Sequence, residues 1–154
     1  MLARLMFAAV DFAARRGLAD AGGGNSAKEQ ARRTGVRGET YAYWYLRRHG
    51  YILVARNYTA PGIKGEIDMV GYDGPVLAFV EVKTRSASDP AQPRPEEAVN
   101  WEKRRNLSRM ARQFLRARHV DEATSRFDVL AIETKPGARP TIRLHKGAFG
   151  AEGK

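Results

Sequence analysis

The chain has 154 residues, a length that predicts one domain with a single hydrophobic core. Apolar residues make up 43% and charged residues 29%, and there is no cysteine, which excludes disulfides, zinc–thiolate sites and thiol catalysis. Lysine and arginine number 27 against 17 acidic residues, a formal net charge of +10 that favours a polyanionic partner over the alternative of a merely solvated basic surface.

Residues 1–24 predict a helical extension followed by a glycine-rich linker. Apolar residues up to Ala13 fall at helical spacing, and Gly22-Gly23-Gly24 ends the pattern. The early Asp11 is unusual for a signal peptide, so export is the minor alternative. No apolar run reaches the length of a bilayer span, and we expect a cytoplasmic protein that does not bind membranes.

Residues 25–146 carry the periodicities of one α/β domain, and 147–154 are predicted as a flexible tail. The predicted elements in chain order are a helix from about Arg33 to His49, strands Tyr51–Asn57, Gly65–Gly71 and Pro75–Arg85, a helix from about Pro95 to Arg118, and strands Arg126–Glu133 and Thr141–His145. This α-β-β-β-α-β-β order predicts a mixed β-sheet flanked by helices.

The third predicted strand changes character along its length. Its first half is apolar on both faces, as in a buried central strand, and then Glu81 and Lys83 follow Phe79 on one face while valine continues on the other. Because buried charges are costly unless they are paired or bind a metal, we expect a cleft at this end of the strand.

A hairpin brings a second acidic strand beside the first. With Asp73-Gly74 as the centre of a two-residue turn, Glu66 lies opposite Glu81, and Asp68 is its diagonal neighbour on the same face. Crowded carboxylates favour a bound cation, and oxygen ligands without Cys or His favour Mg²⁺ or Mn²⁺. Such an ion, held by Asp68 and Glu81, suits phosphodiester hydrolysis, with Lys83 orienting water or stabilising charge. The plain alternative is a surface ion pair of Lys83 with either acid.

These motifs together resemble a known family. The matching segments are Glu39, Gly65-Glu66-Ile67-Asp68, Phe79-Val80-Glu81-Val82-Lys83-Thr84-Arg85 and Arg126-Phe127-Asp128-Val129. They are similar to the YraN-type bacterial proteins, a family assigned to the restriction-endonuclease-like PD-(D/E)XK fold and closest to archaeal Holliday-junction resolvases. The resemblance covers roughly residues 35–132.

The resemblance implies roles for individual residues. Asp68, Glu81 and Lys83 match the catalytic motif, with Ile67 where that motif often has proline, and Glu39 matches a glutamate on the first helix that joins Asp68 and Glu81 as a metal ligand. Glu66 is an accessory candidate. The implied activity is a metal-dependent endonuclease on DNA, more than on RNA, with a homodimer as a further expectation.

Several basic residues are candidates for phosphate contacts, with Lys103 able to reach the predicted cleft and the arginines of the long helix on its outer face. They are Arg85 on the third strand and Lys103, Arg104, Arg105, Arg109 and Arg112 on the long helix. The alternatives are a solvated amphipathic helix and, for the whole chain, a module that binds nucleic acid without cutting it or a structural partner in an assembly.

Overall fold

A computed structural model describes Leu5, Ala8, residues 27–87 and residues 100–150. The elements are α1 (Ala27–Arg48), β1 (Ile52–Tyr58), β2 (Ile67–Asp73), β3 (Val76–Ser86), α2 (Trp101–Arg118), β4 (Ser125–Thr134) and β5 (Thr141–Phe149), with a short 3₁₀ helix, Glu122–Thr124, before β4. The predicted order α-β-β-β-α-β-β is confirmed. The predicted helical extension and linker at 1–24, apart from Leu5 and Ala8, and residues 151–154 of the predicted tail lie outside the described residues.

The five strands form one mixed sheet in the order β1-β2-β3-β4-β5. β3 and β4 are parallel, and every other neighbouring pair is antiparallel. The chain connects the two parallel strands through α2, as a parallel pair requires a crossover. β3 therefore lies at the centre of the sheet, and its Phe79 and Val80 are fully buried.

Each face of the sheet is covered by one helix. On one face Leu107, Met110 and Phe114 of α2 pack with Leu77 and Phe79 of β3. On the opposite face the buried residues of α1 pack with the alternate residues of β3: Tyr41, Ala42 and Leu46 with Ala78 and Val80. The alternation predicted for β3 is thus confirmed, and it places Glu81 on the α2 face. Within the described residues, no helix combines the length and apolar character that a bilayer crossing needs.

The structure differs from the predictions at several boundaries and at one turn. α2 begins at Trp101 rather than near Pro95, because Asn100 is in an extended conformation and caps the helix. α1 begins at Ala27 rather than near Arg33, although the described segment ends as predicted, with Gly50 at a φ of +91° just beyond it. The boundary predicted at 146 falls inside β5, whose Phe149 ring stacks on Phe127 with ring centroids 4.8 Å apart. The β2–β3 turn is centred on Gly74-Pro75, because Asp73 pairs with Val76.

Candidate metal centre

The observed hairpin register brings Asp68 and Glu81 closer than predicted. The ladder runs from Asp73↔Val76 to Met69↔Val80, and the next position places Asp68 directly opposite Glu81. The predicted diagonal contact was therefore wrong: the predicted register pairs Asp68 with Phe79, two residues before Glu81 on β3. An even shift keeps the same faces together, so both carboxylates remain on the α2 side.

Backbone contacts fix the orientation of the Asp68 carboxylate. Its Oδ2 accepts a hydrogen bond of 2.7 Å from the Val82 amide, and only 8% of the residue is exposed. A carboxylate held by a backbone donor cannot turn freely toward solvent. Asp68 therefore presents a preorganised carboxylate near the start of β2.

A close helix–strand contact brings Glu39 into the same cluster. A Cβ atom added at Gly38 would lie 2.2 Å from Thr84 Oγ1, so the absence of a side chain allows α1 to approach β3 closely. The next residue, Glu39, contributes a carboxylate oxygen within 4.8 Å of oxygens from Glu66 and Asp68. The structure thus brings together the predicted ligands Glu39 and Asp68 with the predicted accessory residue Glu66.

Glu81 lies beside this group but is held by two lysines. Its Oε1 accepts a short hydrogen bond from Lys103 Nζ and lies 3.0 Å from Lys83 Nζ. Only 3% of Glu81 is exposed, and its Oε2 is buried without a hydrogen-bond donor among the described residues. A buried carboxylate oxygen without a donor is costly and is what a cation site leaves open before the ion binds.

The pKa values of the cluster report mutual repulsion. Burial raises the pKa of Asp68 to about 7, and the Glu81 charge adds to this rise against the opposing hydrogen bond from Val82. Burial and the neighbouring Glu66 and Glu81 charges also raise the pKa of Glu39, partly offset by Arg56. The charges of neighbouring acids thus disfavour the ionised forms of Asp68 and Glu39, and an added positive ion would relieve this repulsion.

The donor set suits a hard divalent ion. Carboxylates of Glu39, Glu66 and Asp68 converge. The Glu81 carboxylate, whose Oε2 has no donor among the described residues, is close enough for its charge to act on Glu39 and Asp68. No histidine belongs to this cluster, so Mg²⁺ or Mn²⁺ fits better than a transition metal of softer preference. A cavity of about 300 Å³ opens beside the cluster, lined by Glu66, Lys103 and Asn106 among others.

The basic candidates occupy different environments. Arg85 pairs with Glu133 through Nε at 2.9 Å, and Arg112 Nε lies 3.5 Å from Glu122. Arg104 lies over the Phe149 ring and Arg105 over Trp101. Arg105 and Arg109 are exposed on α2. The predicted set therefore divides into arginines with internal partners and exposed ones, and Lys103 belongs to the acidic centre instead.

A second polar network lies on the α1 face. The fully buried Asp128 accepts hydrogen bonds from Arg126 Nε at 2.8 Å and the Gly147 amide at 3.0 Å, and Tyr51 donates to it at 3.3 Å. Arg126 also reaches Asp73 Oδ2 at 2.5 Å. The network connects β2, β4 and β5 with Tyr51, the residue before β1, which supports a structural role for the Arg126-Phe127-Asp128 motif.

Fold and centre together define a class: an α/β domain whose central hairpin presents a cluster of carboxylates, flanked by lysines, at one end of a mixed sheet. The model of the uncharacterised protein family UPF0102 matches residues 38–132, a range that contains the whole β2–β3 hairpin and all of α2. The chain belongs to this family, as its resemblance to the YraN-type proteins predicted.

Relatives in several bacteria match most of the chain. A UPF0102 protein of Koribacter versatilis is 42% identical over 123 residues, which are 79% of this chain and 82% of that protein. One of Solibacter usitatus is 46% identical over 112 residues, 73% and 82% of the two chains. A UPF0102 protein of Symbiobacterium thermophilum is 40% identical over 121 residues, which are 79% of this chain and 99% of that protein.

Sequence reasoning missed one feature of the centre. Lys103 was expected at the cleft as a phosphate contact, yet it binds the Glu81 carboxylate. Its place in the core-facing stripe, four residues before Leu107, was the signal that it points toward the sheet. Whether Lys103 reaches Glu81 depends on how closely α2 packs against the sheet, and the sequence pattern does not predict that distance.

Proposed function

We propose that this protein is a metal-dependent endonuclease that hydrolyses phosphodiester bonds in DNA, with branched and junction structures as the substrate class. The observation that carries the proposal is the buried Oε2 of Glu81, which lacks a donor among the described residues and lies beside three clustered carboxylates and Lys83. The resemblance to resolvase-like nucleases and the net charge of +10 support the same reading. A DNA-acting chain without cysteine fits the cytoplasm.

In this proposal Asp68 and Glu81 are the principal ligands of Mg²⁺ or Mn²⁺, with Glu39 and Glu66 completing the acidic side. These carboxylates would hold the ion, which when bound would supply a Lewis acid for a phosphoryl oxygen and for water. Lys83 is 24% exposed and lies 3.0 Å from Glu81, so its ammonium faces both the ligand and the solvent side. From there it orients the attacking water or stabilises the charge that develops on phosphorus.

Cleavage of labelled junction, flap and single-stranded DNA in Mg²⁺ or Mn²⁺ tests the activity. We expect Asp68→Ala and Lys83→Ala to reduce cleavage by about 10²-fold or more, the size usual for loss of a preorganised charge. Arg85→Ala is a matched control, because Arg85 lies on the same strand but pairs with Glu133. Activity that survives both substitutions unchanged would come from a contaminant and would refute the assignment.

A second candidate function is a nucleic-acid-binding module with a nuclease-like fold. The observation in its favour is that Lys83 and Lys103 already neutralise Glu81 without a cation. Tight, salt-sensitive DNA binding with no cleavage and no Mn²⁺ uptake would support this function. Mn²⁺ titration of the wild type and Glu81→Ala separates the two without requiring the natural substrate.

A further inference from the structure

Lys103 reaches the acidic centre from the start of α2. Asn100 caps this helix, and its Oδ1 accepts a hydrogen bond of 2.9 Å from the Lys103 amide. The cap fixes the backbone of Lys103 in the first turn. Its side chain is 37% exposed, yet Nζ contacts the buried Glu81 Oε1. The Lys103 side chain therefore extends from the solvent-exposed part of the cleft to the buried Glu81 carboxylate.

Two ammonium groups share one oxygen of Glu81, while the other oxygen has no donor among the described residues. Lys83 and Lys103 both lie against Oε1, and Oε2 remains without a hydrogen bond. Asp68 and Glu39 are close enough for the Glu81 charge to act on both. The positive charge that this crowded set requires thus comes from the protein itself, and Lys103 supplies part of it from another element of the fold.

We propose that Lys103 is a positioning residue of the centre: it holds Glu81 while no cation is bound, and a divalent cation displaces it from that carboxylate. The inference rests on the proposed cation site. An ammonium and a divalent ion on the same carboxylate repel each other, so one weakens the binding of the other. Lys103 also lines the cavity beside Glu66, where the displaced ammonium faces the space that a phosphate would enter.

The test is a calorimetric Mn²⁺ titration of the full chain, without DNA, for the wild type and three variants. Lys103→Met removes the competing charge, and we expect Mn²⁺ to bind it on the order of tenfold more tightly. Lys103→Arg keeps a cation at this position, so its affinity should stay within about threefold of the wild type. Arg105→Met is the matched control, since Arg105 lies on the same helix but over Trp101.

Thermal unfolding provides a readout that separates positioning from simple support. Loss of Lys103 should lower the Tm without Mn²⁺ and enlarge the rise in Tm that saturating Mn²⁺ causes, because the stabilisation by a ligand grows with its affinity. A residue that only supported the fold would lower both Tm values equally. If Lys103→Met fails to fold, Lys103→Gln keeps a donor for Glu81 without the charge and should show the same tightening.

The outcomes distinguish this inference from the proposed function. The wild type could bind Mn²⁺ while Lys103→Met and Lys103→Gln bind it with unchanged or weaker affinity. That result would refute the displacement of Lys103 but not the proposed cation site. Equal tightening in Arg105→Met would also overturn it, since bulk charge would then be the cause. Absence of Mn²⁺ uptake in the wild type would refute the cation site and this inference with it.

Discussion

Asp68 shows at the scale of one residue how burial among other carboxylates opposes folding. Burial and Glu81 raise the pKa of this carboxyl to about 7, well above the 3.8 of an unperturbed aspartate. At pH 8 the folded protein therefore contains an ionised group that its surroundings disfavour. Each unit of pKa shift corresponds to about 1.4 kcal/mol, so the unfavourable term amounts to a few kcal/mol as an order of magnitude.

We expect Asp68→Asn to increase the free energy of unfolding by about 1–3 kcal/mol at pH 8 in EDTA. The amide oxygen still accepts the Val82 hydrogen bond, while the repulsion with Glu81 and Glu39 disappears. Urea denaturation measures the effect, and Glu66→Gln, an exposed acid of the same cluster, is the control, with an expected change below about 0.5 kcal/mol. A variant less stable than the wild type would contradict this account of the crowding.

Asp73 responds to pH in the usual direction for a paired acid. Hydrogen bonds from Lys146, at 2.7 Å, and from Arg126 hold the pKa of this carboxyl below its ordinary value. A lowered folded pKa contributes stability above the unfolded pKa near 3.8, and that contribution is lost as the pH falls through the folded value. Asp73→Asn should therefore destabilise the protein by about 1 kcal/mol at pH 7, and its difference from the wild type should shrink steadily as the pH falls below 3.8, measured by urea denaturation over that range.

At the scale of elements, the contact between α1 and β3 depends on one glycine. Alanine in place of a helical glycine normally gains about 1 kcal/mol, but a Cβ at Gly38 would lie 2.2 Å from Thr84 Oγ1. Threonine is branched at Cβ, so rotation moves its methyl group toward the same space. Gly38→Ala should therefore destabilise the protein by about 1–2 kcal/mol and move Glu39 away from the acidic cluster.

A double-mutant cycle tests the origin of that effect. Thr84→Ala removes Oγ1 and the methyl group, so Gly38→Ala/Thr84→Ala should recover most of the stability that Gly38→Ala loses. Urea denaturation of the four proteins gives the coupling energy, and we expect about 1 kcal/mol or more. Additive effects of the two substitutions would show that Gly38 does not limit the approach of α1.

The sequence pattern predicted the elements and faces better than their ends and registers. Period-two alternation in β3 depends on its own residues, and it correctly placed Glu81 and Lys83 together. The turn was misplaced because Asp73-Gly74 is a strong hairpin signal. Pro75 lies instead in the turn, where its missing amide hydrogen weakens no ladder bond.

Other differences came from tertiary contacts. α1 starts at Ala27, earlier than predicted, and Gly38 within it allows the close contact with Thr84. β5 extends beyond the predicted boundary, where the Gly147 amide donates to Asp128 and Phe149 stacks on Phe127. Such contacts join residues far apart in sequence, so local propensity carries no signal of them.

At the scale of the whole molecule, the net charge of +10 predicts salt-dependent association with DNA. Not every basic residue contributes equally, because an arginine engaged by an acid has little charge to offer a phosphate. Arg85 pairs with Glu133, and that pair lowers the pKa of the glutamate. Arg105 and Arg109, in contrast, are exposed on the outer surface of α2, near the helix start that carries Lys103.

We therefore expect Arg105→Ala/Arg109→Ala to weaken DNA binding and to reduce the slope of log K against log salt by about two, because each arginine neutralises about one phosphate. Arg85→Ala should change the slope by much less than about one unit, because its charge is already neutralised within the sheet. Fluorescence anisotropy with a labelled junction between about 50 and 200 mM salt, in EDTA to prevent cleavage, measures both. Equal slopes for the wild type and both variants would mean that DNA binds another surface, while a larger change for Arg85→Ala would mean that DNA displaces Glu133.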